Sequence, residues 1–516
     1  MTCEYLAWAT PGTSGRVVLA RTTEWGGKDR GFPGGRPTPR VDTVCARGVF
    51  GGRGVIVSAV SAESVDRRRV TEASDVGETT NARWNPLTRI AFRFSFTYFG
   101  LFCLIFPQFL FVYSGVLGEN LPETAILGLL YQFSPVFEWV GRHVFDADVA
   151  LHLDSGSGDQ AIIWVFVFSV LVIALAATIA WTVSDRRRPN YQRLNAWFLL
   201  FLRLALGGQM LWYGMGKVIP TQMPLPSLTT LLTPYGDFTP ITVLWSQVGT
   251  SPVYEILLGA AEVFGGLLLF LPRTATLGAM VSLVSMAQVF ILNMTFDVPV
   301  KILSGHLMLI SLVLLAPQAR RLANILVLQR PSEPAEQPEP FRSRRVRRIA
   351  VGLQAVLGVW VLLGATQEGL QFWREGDGAP RPPLYGIWTV SEFTQDGQPL
   401  PPLTTDENRW QRVVFDVGGM AYQKMDGGLV HVVGAVDTAA HTITVSEANI
   451  VAGPVQRVSA EPTQIGTFTF AQSAPDRLRL EGQFKGHAVT VSLEQVDIDS
   501  FPLRSGGFHW VQEYPR

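Results

Sequence analysis

Seven long apolar runs constrain this chain more than anything else in it. They cover roughly 94–117, 161–182, 196–219, 252–271, 275–294, 301–317 and 349–366. Each is near the ~20 residues that an α-helix needs to cross a hydrocarbon core about 30 Å thick. Lipid offers the backbone no hydrogen-bond partners, so such runs are expected as helices whose N–H and C=O groups pair internally. A charged content of 16 % against 47 % hydrophobic residues fits a membrane protein with polar appendages. The segment 125–145 is apolar but interrupted by Pro135, Glu138, Arg142 and His143. It is expected as an interfacial helix lying on the membrane.

Loop charges fix the expected orientation. Arg89 and Arg93 precede the first span, DRRRPNYQR joins the second to the third, and Arg273 sits between the fourth and fifth. Arg320, Arg321, Arg330 and the cluster RSRRVRR lie between the sixth and seventh, whereas 118–160 holds Arg142 alone among its Lys and Arg. Every second loop is basic, which places the N-terminus in the cytoplasm and the C-terminus outside a plasma (bacterial inner) membrane.

The flanks differ from the spans. Residues 1–88 are rich in Gly, Arg, Thr and Ser without periodicity and are expected to be disordered. No Met falls between Met1 and Met210, and translation is expected to begin downstream of Met1 at a non-AUG start. Residues 89–183 carry two spans and the interfacial helix, 184–320 a four-helix core, 321–348 a basic cytoplasmic linker and 349–368 the last span. From 384 to 516 the chain turns to short alternating segments such as YGIWTVSEF, HTITVSE and HAVTVSLEQV. These predict an extracytoplasmic all-β barrel or sandwich of about eight strands.

The spans carry a polar constellation. Glu255, Gly259, Glu262 and Gly266 fall on one stripe of the fourth span, and Arg203, Gly207, Gly214 and Lys217 on one stripe of the third. The two helices run antiparallel. Counting about 1.5 Å per residue from the span ends, Arg203 is expected near Glu262, and Lys217 near Glu255. An unpaired charge at the bilayer centre costs about 3 kcal/mol, so Glu262 is expected to face the bundle interior. Gln288 on the fifth span and Lys301 and His306 on the sixth complete an expected pocket open to the outer side. Plainer readings stand beside this one: Lys217, Lys301 and Arg203 as snorkelling span-end cations, His306 as a hydrogen-bonded helix residue, and an Arg203–Glu262 pair with only a structural role.

Spans three to six resemble the DoxX family of small four-helix membrane proteins. The likeness is carried by Arg203, Gly207, Gly214 and Lys217, then by E-x2-GG-LLLFLPRTATLGA from Glu262 to Ala279. It implies a place in a membrane oxidoreductase system, with a quinone as the cofactor and an oxidoreductase as partner. Glu262 and His306 would then be the catalytic groups. In a scaffold, the β domain would instead dock an extracytoplasmic protein. The G-x-W of Gly386 and Trp388 resembles the entry strand of lipocalins.

Composition excludes other classes. Net charge is zero, so nothing favours nucleic acid. The three cysteines, Cys3, Cys45 and Cys103, show no CxxC spacing, which leaves neither a disulfide framework nor a Cys-based metal site. The expectations that remain are a redox subunit, a non-enzymatic carrier of a small lipidic or polar solute, and an assembly scaffold built on the outer β domain.

Overall fold

A computed structural model describes residues 83–516 apart from 154, 333–339, 342, 448–449, 452–456, 459–461 and 515–516. The expected disordered tail and downstream start fall outside the described residues, except that the first helix already begins at Pro86. Seven helices among the described residues are long and apolar enough to cross a membrane, so the chain is a multi-pass membrane protein.

The first span, α1, runs from Pro86 to Ile105, not 94–117. The apolar run continues, but Pro107 disfavours helical geometry at the residue before it, and Phe106 is extended at φ −61°, ψ 137°. The chain then passes through 3₁₀ turns at Phe111–Asn120 and Glu123–Leu127. Helix α2 (Gly128–Phe145) follows where an interfacial helix was expected. Next come α3 (Ala161–Ser184) and α4 (Gln192–Val218), then short helices α5 (Leu228–Leu232) and α6 (Pro240–Gly249). The spans α7 (Pro252–Phe270), α8 (Ala275–Thr295) and α9 (Lys301–Leu315) complete the core. Through one 3₁₀ turn α9 continues into α10 (Ala319–Leu326). The last span, α11, is Arg344–Glu375, five residues longer at its start than expected and nine at its end.

Glycine sets the closeness of α4 and α7. A Cβ on Gly214 would stand 2.8 Å from the Val263 nitrogen, and one on Gly207 would stand 2.9 Å from the Phe270 ring. The two backbones meet as small-residue faces do in membranes. Leu257 and Phe264, on the opposite side of α7, are exposed.

The C-terminal region is a closed eight-stranded antiparallel barrel, which settles the choice between barrel and sandwich. Its strands are β1 (Gly386–Gln395), β3 (Trp410–Asp416), β4 (Gly419–Lys424), β5 (Leu429–Asp437) and β6 (Thr442–Glu447), then β9 (Thr463–Ala474), β10 (Arg477–Phe484) and β11 (His487–Val496). Each pairs with the next in that order, and β11 closes on β1 with Trp388 opposite Gln495. The short β2 (Gln398–Pro399) flanks β1, and β7 (Ile450–Val451) pairs with β8 (Arg457–Val458) outside the barrel. Trp388, Trp410, Tyr422, Phe468, Leu480 and Val491 fill the interior. Near the C-terminal end, Phe508, Trp510 and Val511 are exposed.

Strand residues normally alternate between a buried and an exposed face. On β1 and β3, however, Ile387 and Trp388 are both buried, as are Val413 and Val414. The outward members, Ile387, Val414 and Ala421 of β4, pack on Leu228 of α5. Asp416 accepts the Leu228 N–H at 2.8 Å, and Asp377 accepts the Leu225 N–H at 3.1 Å. The barrel is thereby clasped to the 222–232 loop between α4 and α6.

Candidate functional site

The register of α4 on α7 decides which charges meet. Gly207 faces Phe270, Gly214 faces Val263, and Gly259 faces Lys217 and Val218. Glu262 is therefore level with the turn preceding Lys217, while Arg203 lies about 18 Å farther along the axis at 1.5 Å per residue. The expected pairs are both replaced. Lys217 Nζ donates to Glu262 Oε2 at 2.8 Å, with the two side chains 6 % and 3 % exposed. Arg203 donates instead to Gln354 of α11, a helix that the expectation left out of the core. Glu255, fully buried beyond the end of α4, accepts the Met223 N–H at 3.0 Å on Oε1, and its Oε2 has no hydrogen-bond partner. Ion pairing followed depth in the bundle rather than distance from the span ends.

Beside the Lys217–Glu262 pair lies a cavity of about 100 Å³ walled by α4, α7, α8 and α9, the four spans expected to enclose it. Gln288, Ser285, Asn293 and Ser304 line it with Tyr213. Ser285 comes level with Glu262 because Gly265 packs against Ser282 in the antiparallel α7–α8 pair. Asn293 is held by its Nδ2 donating to Ser304 Oγ at 3.0 Å. Leu258, Val289, Leu292 and Leu307 make the rest of the wall apolar. Gln222, Met223 and, from α6, Trp245 also line it. Gln222 and Met223 belong to the loop clasped by the barrel. Ser282 of α8 and Gln209 of α4 are fully buried with side-chain polar atoms that have no partner, and such orphaned groups are costly in a dry interior.

Two expected pocket residues stand elsewhere. His306 lies between α9 and α1, its ring stacked on Phe102 at 3.8 Å. Nδ1 is 2.6 Å from the Ile302 carbonyl and must donate to it, so Nε2 accepts from the Tyr98 hydroxyl at 2.8 Å. Both nitrogens are occupied in a packing role, and His306 does not line the cavity. Lys301 pairs with Asp297 at 2.8 Å and approaches Asp159 at 3.8 Å. Asp159 also accepts the Lys301 and Ile302 N–H groups and so caps α9. Of the seven residues singled out in the sequence, Lys217, Glu262 and Gln288 converge on the cavity, Glu255 braces its loop, and Arg203, Lys301 and His306 hold helices together. Trp245 and Met223 were missed. The signal for Trp245 was the apolar Pro240–Gly249 segment lying between two spans; nothing in the sequence singled out Met223.

Among the described residues no group of three or more His, Cys, Asp or Glu could hold a metal ion. The site's chemistry is that of a buried ammonium–carboxylate pair with amide and hydroxyl groups from α4, α8 and α9 set among apolar side chains. It can orient a small amphipathic molecule and exchange a proton with its polar end.

No family model and no solved structure matches the chain. The uncharacterized protein YwoB of Bacillus subtilis (strain 168) is 30 % identical over 155 residues, which cover 86 % of that protein and 28 % of this chain. The chain belongs to the YwoB family. Most of the chain lies outside the stretch shared with YwoB, so much of this architecture has no counterpart in that match.

Proposed function

We propose that this protein binds a small amphipathic ligand of quinone type in the cavity beside Lys217 and Glu262 and serves a membrane redox system as a subunit. One observation carries the reading: a charged pair almost wholly removed from solvent stands at the edge of a cavity lined by both polar and apolar side chains. Charge inside a membrane bundle is expensive and is usually kept where it acts. Lys217 offers hydrogen-bond donors, Gln288 both a donor and an acceptor, and Glu262 a site for a proton. The leucines and valines suit an apolar ring or tail. A quinone bound there would supply two-electron, two-proton redox capacity, with electrons delivered by a partner oxidoreductase. The resemblance to DoxX proteins supports the same class.

The filled barrel interior favours a barrel that acts through its outer wall rather than as a container. Its clasp on the 222–232 loop links an extracytoplasmic partner to the cavity's lining. The alternation of basic loops supports a cytoplasmic N-terminus and an outer barrel in the plasma membrane.

The test is titration of purified full-length protein in nanodiscs with menadione, read by tryptophan quenching. Saturable binding is expected, weakened about tenfold in Glu262→Gln and severalfold in Gln288→Leu. Absence of saturable binding, or equal affinity in both variants, would reject this reading and leave a structural ion pair.

A further inference from the structure

A second, larger cavity of about 200 Å³ lies between the 3₁₀ segment Phe111–Asn120, α4 and the last turns of α11. We propose that it is a binding site for an alkylammonium group at the membrane surface. Its charged lining residues are Glu119 and Glu368, and no Lys, Arg or His lines it. The rings of Phe111, Trp212 and Phe372, apolar side chains and the uncharged polar groups of Ser114, Gln367 and Gln371 form the rest. A partly enclosed carboxylate without a cation is unfavourable. An organic ammonium answers both features, because the carboxylate neutralises it and aromatic faces attract it. A hard metal ion would need more oxygen ligands than two carboxylates among rings provide.

The site is built rather than left over. Glu368 Oε2 accepts from Trp212 Nε1 at 2.6 Å, which fixes the carboxylate and leaves Oε1 for a ligand. Gly115, at φ 56°, turns the 3₁₀ segment, and Gly364 of α11 presses its backbone against that turn with no room for a Cβ. Trp360 Nε1 then donates to the Tyr113 carbonyl at 3.1 Å and locks the two together.

Its depth matches a headgroup. Arg344 to Arg348 mark one end of α11, and Glu368 lies about 30 Å along the helix from Arg348 at 1.5 Å per residue. That is the thickness of the hydrocarbon core, so Glu368 sits at the opposite interface. The ammonium of an ethanolamine lipid and that of a free amine present the same chemistry there.

The experiment uses the full chain and has two arms. In one, detergent-purified protein incubated with phosphatidylethanolamine or phosphatidylglycerol is examined by native mass spectrometry. In the other, ethylammonium and tetramethylammonium chloride are titrated against sodium chloride of equal ionic strength in a thermal-shift assay. Retention of the ethanolamine lipid alone identifies a lipid headgroup, and stabilisation by the soluble amines identifies a free amine. Glu368→Gln should weaken whichever is seen at least tenfold, and Phe372→Leu, which keeps the charge, severalfold. If neither ligand binds in preference to its control, or if both variants bind as the native chain does, the site is not an ammonium site.

Discussion

Lys217 and Glu262 hold each other inside the bundle, and among the described residues neither forms a second salt bridge. Removing one member of a buried pair strands the other charge, at a cost of about 3–5 kcal/mol, whereas replacing both with apolar residues of similar volume is often neutral. Lys217→Met should therefore lower the melting temperature in detergent sharply, and Lys217→Met combined with Glu262→Leu should recover most of the loss. If the double variant is no better than the single one, the pair is not the source of the cost. The inward direction of Glu262 was legible because the stripe through Glu255, Gly259 and Gly266 has helical spacing. Its partner was not legible, since a long cation reaches any carboxylate within a turn or two. His306 shows the same limit. Its residue type suggested proton transfer, but the Tyr98 hydroxyl and the Phe102 ring came from a helix some two hundred residues earlier.

Between elements, the meeting of α4 and α7 at Gly214 and Gly259 sets the register that places Lys217 over Glu262. A Cβ on Gly259 would meet the Lys217 Cβ and the Val218 nitrogen at 2.7 Å. Gly259→Val must push the helices apart, and the expected result is a large loss of stability together with loss of menadione binding. Gly100, where nothing stands within 4 Å of a Cβ, should tolerate Ala with little change. Equal melting of both variants would contradict this account of the interface. The number of spans was legible from hydropathy because bilayer thickness dictates helix length. The ends were less so. Apolar composition carried the expected first span to 117, while the local rule at Pro107 ended the helix at Ile105.

At the scale of the molecule, barrel and membrane bundle are joined where Asp377 and Asp416 grip the backbone of Leu225 and Leu228. Burial, above all, raises the Asp377 carboxyl from its ordinary value, and the nearby Asp416 charge adds to this against the Leu225 N–H and Arg504. A carboxyl raised in the folded state contributes stability that is fully present below the unfolded value and is lost as pH rises through the folded one. The junction should thus tighten as pH falls from neutral toward the usual carboxylate range. Asp377→Asn should flatten that dependence, as read by the rate of proteolysis between residues 376 and 385. A profile unchanged by the substitution would assign the pH effect to another group.

What the sequence by itself determined was the list of parts: seven spans, a β domain after the last of them, and an acid turned away from lipid. Those follow from periodicity and bilayer thickness, which act on neighbours along the chain. The tertiary structure alone decided which cation meets Glu262, that a short helix before the fourth span helps line the cavity, and that α11 braces Arg203. Each depends on axial register between helices far apart in sequence, and register is set by packing of whole faces rather than by any local run of residues.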